Sequence, residues 1–318
     1  MSTDTLPPTL PGTRGSRLLA FLGERAPNKI YLTYAVVWVV ALQAAVALLD
    51  PARGPWVVGT HTVVEMALVW LALVFIRVVD EQKDLEYDRV HNPDRPLPRG
   101  AIGVADLRVA MAAITVLGGG LALWRSPALA GLFLVVLAYV LFLVLLERVS
   151  PRFRDSTFTN LWVSYFVQVI IGTHILLAYL EASGLAFQAR LLLPLLLCAG
   201  VFLHFEFARK TRREVVPGAQ FYSNLLGFRG SAWVAAGFPL AAALLLLVLV
   251  RPWEVSGVAA FGAWLPLAPL GLVWRGAEEL VALRRPGWPP GPAMGYLAWT
   301  YVLTAVAAAA VLDVRFLA

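Results

Sequence analysis

Residues Asp80 to Arg99 read DEQKDLEYDRVHNPDRPLPR, a dense patch of acids and arginines in a sequence that is otherwise 59% hydrophobic. On a helix Asp80, Asp84 and Asp88 follow one another at steps of four. Glu81 lies three before Asp84 and seven before Asp88, so all four carboxylates share one broad face. Like charges this close repel, and the arrangement gains nothing unless a divalent metal or neighbouring cations neutralise it. Oxygen ligands on one surface, with room left for water and phosphate, suit magnesium. The plainer reading of such a run is a solvated helix end of mixed charge.

The elements that must position this patch are membrane spans. Mean hydropathy is +0.73 and only 14% of residues are charged. Apolar stretches long enough to cross a hydrocarbon core of about 30 Å recur from one end to the other. Nine are expected, at 30–49, 57–79, 102–124, 127–147, 158–180, 188–208, 229–250, 256–274 and 294–315. The second and third are the least clean, because His61, Glu65, Arg77, Asp106 and Arg108 lie within or beside them. The fold class is therefore all-α and polytopic, and no soluble domain is expected.

Basic residues give the orientation. With alternate loops on opposite sides, one side holds Arg14, Arg17, Arg25 and Lys29 of the N-terminal tail, Lys83, Arg89, Arg95, Arg99, Arg148, Arg152, Arg154, Arg209, Lys210, Arg212, Arg213, Arg229, Arg275, Arg284 and Arg285. The other side holds Arg53, Arg125, Arg190, Arg251 and Arg315. The excess places the N-terminus and the acidic patch in the cytoplasm. The net charge of +6 then reflects topology and anionic ligands, and nucleic acid is not needed to explain it. Anionic lipid accounts for the arginines of the tail on this reading.

Residues 1–27 stand apart from the expected membrane domain, 28–318. MSTDTLPPTLPGTRG has the composition of a disordered tail, and Ser16 to Ala26 has the pattern of a short interfacial helix, too polar for a cleaved secretion signal. Cys198, the single cysteine, falls inside the sixth span, which excludes a disulfide or a thiolate metal cluster within one chain. No internal repeat is evident.

With nine spans and this acidic stretch, the sequence resembles the UbiA superfamily of intramembrane prenyltransferases. That family carries an Asn-Asp-x-x-Asp-x-x-x-Asp run at the cytoplasmic end of its second helix, followed by a segment close to Asn-x-x-Arg-Pro-Leu-Pro-x-Gly. Here Asp80, Glu81, Asp84 and Asp88 take the acidic positions, and Asn92, Pro93, Asp94, Arg95, Pro96, Leu97, Pro98, Arg99 and Gly100 follow at the expected distance. The resemblance covers nearly all of residues 28–318. It implies nine helices bundled around a central cavity, Mg²⁺ as cofactor, and a prenyl diphosphate and a lipophilic, aromatic acceptor as substrates. It implies Asp80, Glu81, Asp84 and Asp88 as metal ligands, and Asn92 and Arg95 as diphosphate ligands. The expected setting is the cytoplasmic membrane of a bacterium, with membrane lipid around the chain and no obligate protein partner.

The family's second signature, usually Asp-x-x-x-Asp at the cytoplasmic end of the sixth helix, meets HFEFARKTRRE here. Glu206 stands for the first acid and Lys210 replaces the second. Glu206 is expected to help bind metal, with Arg209 or Lys210 meeting phosphate directly and supplying charge that a second metal ion normally brings. A simple Glu206–Lys210 pair on one helix face is the alternative. Arg152 and Arg154, after the fourth span, are plausible diphosphate clamps, and Tyr222, Ser223 and Asn224 before the seventh span are weaker polar candidates. Asn160, Tyr165, Gln168 and His174 are candidates to take the acceptor's proton, against a plain interhelical hydrogen bond for each. His204 is a candidate to orient Glu206.

Metal and arginines absorb the charge that develops on a departing diphosphate, and apolar helices keep water from the carbocation. Terpene cyclisation and phosphoribosyl transfer onto polyprenyl phosphate share the diphosphate half of this chemistry. A cation transporter is the non-enzyme alternative, and the many arginines around the acids weigh against it.

Overall fold

The computed structural model describes residues 12–50 and 54–317. The expected disorder at the N-terminus falls mainly on positions outside the described residues, as does Arg53. In chain order the elements are α1 (Arg14–Arg25), α2 (Asn28–Leu48), β1 (Trp56–Gly59), α3 (Thr60–Lys83), α4 (Leu85–His91), α5 (Val104–Arg125), α6 (Pro127–Val149), α7 (Pro151–Asp155) and α8 (Thr157–Ser183). Then come α9 (Leu193–Arg209), α10 (Tyr222–Val250), α11 (Val258–Trp264), α12 (Leu270–Val281), α13 (Pro290–Val311) and β2 (Val314–Leu317). Among the described residues nine spans are long and apolar enough to cross a membrane, with α11 and α12 counting as one.

The expected spans are all present, with three local differences. The second begins later than expected, because Trp56–Gly59 forms a parallel ladder with Val314–Leu317, Trp56 opposite Val314. A Cβ on Gly59 would lie 2.3 Å from the Leu317 carbonyl oxygen, so only glycine allows that approach. The seventh begins earlier, at Tyr222, and turns at Gly227, whose φ of 69° suits glycine. The eighth is broken into α11, a short 3-10 turn at Leu265–Leu267 and α12, where Pro266 and Pro269 interrupt regular hydrogen bonding.

The chain divides into two compact units, one of residues 1–35 and 67–145, the other of 36–66 and 146–318. In the first, α1 packs on α5. Thr13 caps α1 by accepting from the Ser16 N–H, and Phe21 is buried. Arg14 and Arg17 both reach Asp106, at 3.0 and 2.7 Å, and Asp106 also accepts from the Gly103 N–H at the first turn of α5. The hydrogen bond to Asp106 lifts the Arg17 guanidinium still further above its ordinary pKa. Two tail arginines assigned to lipid by the sequence reading thus have a carboxylate partner within the protein. Gly118 lets α5 and α6 close together, since a Cβ there would sit 2.4 Å from the Phe133 ring.

In the second unit α9 packs against α8, α10 and α13. Ala41 through Leu49 of α2 and its end are buried on every side, which marks an interior helix. Glu65 and His174, both buried, share a 2.7 Å hydrogen bond between α3 and α8. The loop after α9 is held to the segment before α13: Arg213 N–H donates to Pro286 O at 2.9 Å, and Trp288 N–H to Thr211 O at 3.2 Å.

Candidate active-site residues

The acidic stretch is not one unbroken helix. α3 stops at Lys83, Asp84 takes φ −87° and ψ 4°, and α4 begins at Leu85. Backbone bonds still step by four, Asp84 N–H to Asp80 O and Asp88 N–H to Asp84 O, so the bend is local. It divides the acids by environment. Glu81 and Asp88 are buried, at 2% and 1% exposure, whereas Asp80 is half-buried and the Asp84 side chain is 44% exposed.

Buried carboxylates need partners, and here those partners are arginines. Asp88 receives Arg95 Nη1 on both oxygens, at 2.7 and 2.6 Å, and Asn92 Nδ2 on Oδ1 at 2.9 Å. Arg95 and Asn92, expected to meet diphosphate, therefore hold Asp88. Arg95 gives only Nη1 to it. Glu81 Oε1 receives Arg25 Nε at 2.6 Å and also Arg77 from one turn earlier on α3. Glu81 Oε2 is buried with no hydrogen-bond partner among the described residues. Lys83 Nζ stands 3.5 Å from Asp84. Arg99 makes a forked pair with Glu24 of α1, which raises its pKa. α1 is thus joined to this region at Asp106, Arg99 and Glu81. Sequence reading missed Arg25 and Arg77 as partners; Arg77 was signalled by its spacing to Glu81, and Arg25 by nothing local.

A hard divalent cation fits the chemistry of this stretch. Asp80 and Asp84 offer carboxylates that are partly open, and Glu81 Oε2, buried without a hydrogen-bond partner among the described residues, keeps its lone pairs available. Asp88 is committed to Arg95 and Asn92 in this conformation. Among the described residues no three His, Cys, Asp or Glu side chains already converge as a ligand set.

The second unit holds the other group. Glu206, 7% exposed at the end of α9, accepts from Arg209 Nε at 2.5 Å on Oε2, and from Lys210 Nζ at 2.8 Å and Tyr222 OH at 3.1 Å on Oε1. The alternative Glu206–Lys210 pair is thus formed, and both Glu206 oxygens are engaged. Tyr222 is brought there by the short turn of helix before Gly227, stacks on Phe207 with ring centroids 4.2 Å apart, and lies 5.2 Å below the Lys210 ammonium. Ser223 accepts from the Arg212 N–H, and Asn224 ties together the loop at Val216 and Ala219. Those two have turn-building roles.

Arg152 and Arg154 are exposed on α7. Arg154 pairs with Asp155 at 3.0 Å, which raises its pKa, and its carbonyl accepts from Gln220. Three of the proton-acceptor candidates have ordinary partners: Asn160 with Ser164, Tyr165 OH with Ala199 O, and His174 with Glu65. His204 does not orient Glu206. Its Nδ1 bonds Ala235 O at 2.7 Å, and its ring sits edge-on to Trp288 and Tyr296, because α9 turns it toward α10 and α13.

No family model matches the chain. It is 27% identical over 216 residues to a digeranylgeranylglyceryl phosphate synthase of Methanoregula boonei, covering 64% of this chain and 74% of that one. A synthase of the same name from Methanoculleus marisnigri is 28% identical over 115 residues, 35% of this chain and 39% of that one. Both relatives are archaeal, and the bacterial setting finds no support in them. Among solved structures, a UbiA homologue from Aeropyrum pernix K1 matches 88% of this chain and 95% of its own with a TM-score of 0.59 at 15% identity. A structure concerned with digeranylgeranylglyceryl phosphate synthase in membranes matches 93% and 97%, with a TM-score of 0.51 at 14% identity. The chain thus shares the fold of these structures and is similar in sequence to digeranylgeranylglyceryl phosphate synthases, and its nine apolar spans support an integral membrane protein.

Proposed function

We propose that the chain is a magnesium-dependent prenyltransferase that ionises a prenyl diphosphate and joins the prenyl group to a lipophilic, aromatic acceptor. The observation that carries this reading is the acidic stretch: buried acids held by arginines, two half-buried aspartates, and one carboxylate oxygen buried without a hydrogen-bond partner among the described residues. Asp80, Asp84 and the free oxygen of Glu81 would hold Mg²⁺. When bound, the ion neutralises charge on the diphosphate and favours its departure. Asp88 fixes the Arg95 guanidinium by one nitrogen and leaves its other donors for phosphate oxygens.

In the reaction the allylic C–O bond breaks and its electron pair leaves with the diphosphate. The acceptor then bonds the allylic carbon and gives up a proton. In the second unit, Arg209 and Lys210 place basic groups where the motif that the sequence resembles has its second acid, so we assign them to anion binding with Glu206 as their support. The excess of basic residues beside the acidic stretch supports a cytoplasmic N-terminus.

The test is diphosphate release by the purified chain from prenyl diphosphates of increasing length, with and without Mg²⁺, beside Asp84→Ala. Release that requires Mg²⁺ and disappears in the variant is expected. No release with any chain length, even with membrane lipid extract as an acceptor source, would overturn the reading.

A further inference from the structure

Within the second unit α2, α8, α9 and α13 enclose a chamber of about 240 Å³ with an almost wholly apolar lining. Trp38, Tyr165, Phe202 and Tyr301 supply aromatic surface, and leucines of α9 close the rest. Both tyrosine hydroxyls on this wall are engaged in the protein. Tyr165 OH donates to Ala199 O at 2.8 Å and Tyr301 OH to Cys198 O at 3.1 Å. The amide oxygen of Gln168 is buried and has no partner among the described residues. Gln168 lies near the middle of α8, eleven residues from its first residue. In a hydrocarbon setting water is scarce there, and an amide group left unpaired is strongly unfavourable.

An isoprenoid tail offers neither donor nor acceptor and would leave Gln168 as it is. The volume also falls below the ~300–1,000 Å³ common for ligand pockets, so a ring or a short chain fits and a long polyprenyl tail does not. Turning the amide over would present its NH₂ in place of its oxygen, so the complementary group must be able both to donate and to accept. A hydroxyl does both. From this geometry we infer that the chamber is a binding site for a compact lipophilic molecule bearing one hydroxyl, with Gln168 as its hydrogen-bond anchor and the aromatic wall as its apolar contact.

The site needs neither metal nor prenyl diphosphate, and it stands or falls apart from the reaction proposed above. The probes are 4-butylphenol and its methyl ether 4-butylanisole, which differ in the donor. Binding is read from tryptophan fluorescence and thermal shift in lipid nanodiscs, with protein-free nanodiscs as the partition control. The phenol is expected to bind wild type at least tenfold more tightly than the ether. Gln168→Leu should erase that difference while unfolding no earlier than wild type. Gly172→Leu should weaken both probes by filling the chamber; its Cβ meets only the flexible tip of Leu195, at 3.0 Å, so folding should survive. Equal affinity for the two probes in wild type, or a preference for phenol that persists in Gln168→Leu, would overturn the inference.

Discussion

Replacing Arg25 by Met removes one of the two guanidinium groups on Glu81 while keeping an apolar stem of similar length. Arg25 Nε lies 2.6 Å from Oε1, with the two side chains 20% and 1% exposed. A charge-assisted hydrogen bond in such a place contributes about 1.5–3 kcal/mol. Arg77 remains on the same oxygen, so the ~3–5 kcal/mol loss typical of an abandoned buried charge is not reached. The metal-free variant should therefore lose about 2 kcal/mol of stability. The same change leaves Glu81 with one guanidinium in place of two, so its carboxylate attracts a cation more strongly, and a cation that binds the folded state returns that stability. A difference of about 2 kcal/mol corresponds to roughly 30-fold tighter divalent binding. The assay is Mn²⁺ binding by electron paramagnetic resonance, competed with Mg²⁺, together with thermal unfolding with and without Mg²⁺. Earlier unfolding without metal, recovery with metal and tighter Mn²⁺ binding are expected together. Metal affinity that is unchanged or weaker in the variant would show that Arg25 does not compete with an ion for Glu81, and the reasoning would fail.

Asp84→Ala should abolish turnover with stability changed by no more than about 0.5 kcal/mol, since its side chain is 44% exposed and meets Lys83 only at 3.5 Å; full activity by the product assay would remove Asp84 from the metal site. Lys210→Asp takes a cation from Glu206 and adds a like charge four residues away, so it should unfold earlier without metal and gain more from Mg²⁺ than wild type; an identical Mg²⁺ dependence would mean that position 210 faces away from any ion. Glu65→Ala removes the buried hydrogen bond to His174 and should destabilise by about 1–3 kcal/mol, with Glu65→Gln milder, as read by thermal unfolding. Gly276→Ala puts a Cβ 2.4 Å from the Trp288 indole nitrogen and should destabilise by about 1–3 kcal/mol with a shift in tryptophan emission; unchanged stability would show that Trp288 yields freely.

What could be read from the sequence was what is local along the chain. Each span announced itself because one stretch of apolar residues must bury its own backbone bonds within a helix, and no distant residue is needed to decide that. The acids of the 80–88 stretch were legible by spacing, and so was the pairing of Glu206 with Lys210, four residues apart on α9. The strands were not legible, because each is four residues long and its partner lies at the other end of the chain, and Val314 extended the apolar pattern of the last span. Nor was the chemistry that makes the acids tolerable. Arg25 reaches Glu81 across 56 positions by way of an amphipathic helix that itself is held on Asp106, and Tyr222 reaches Glu206 only because the chain turns at Gly227. Hydropathy rewarded the first link of that path and ignored the rest. Charge in a low-dielectric interior is compensated in three dimensions, so an acidic run beside a membrane span calls for a count of every arginine the fold can bring within reach, including those of a tail that composition alone would hand to the lipid surface.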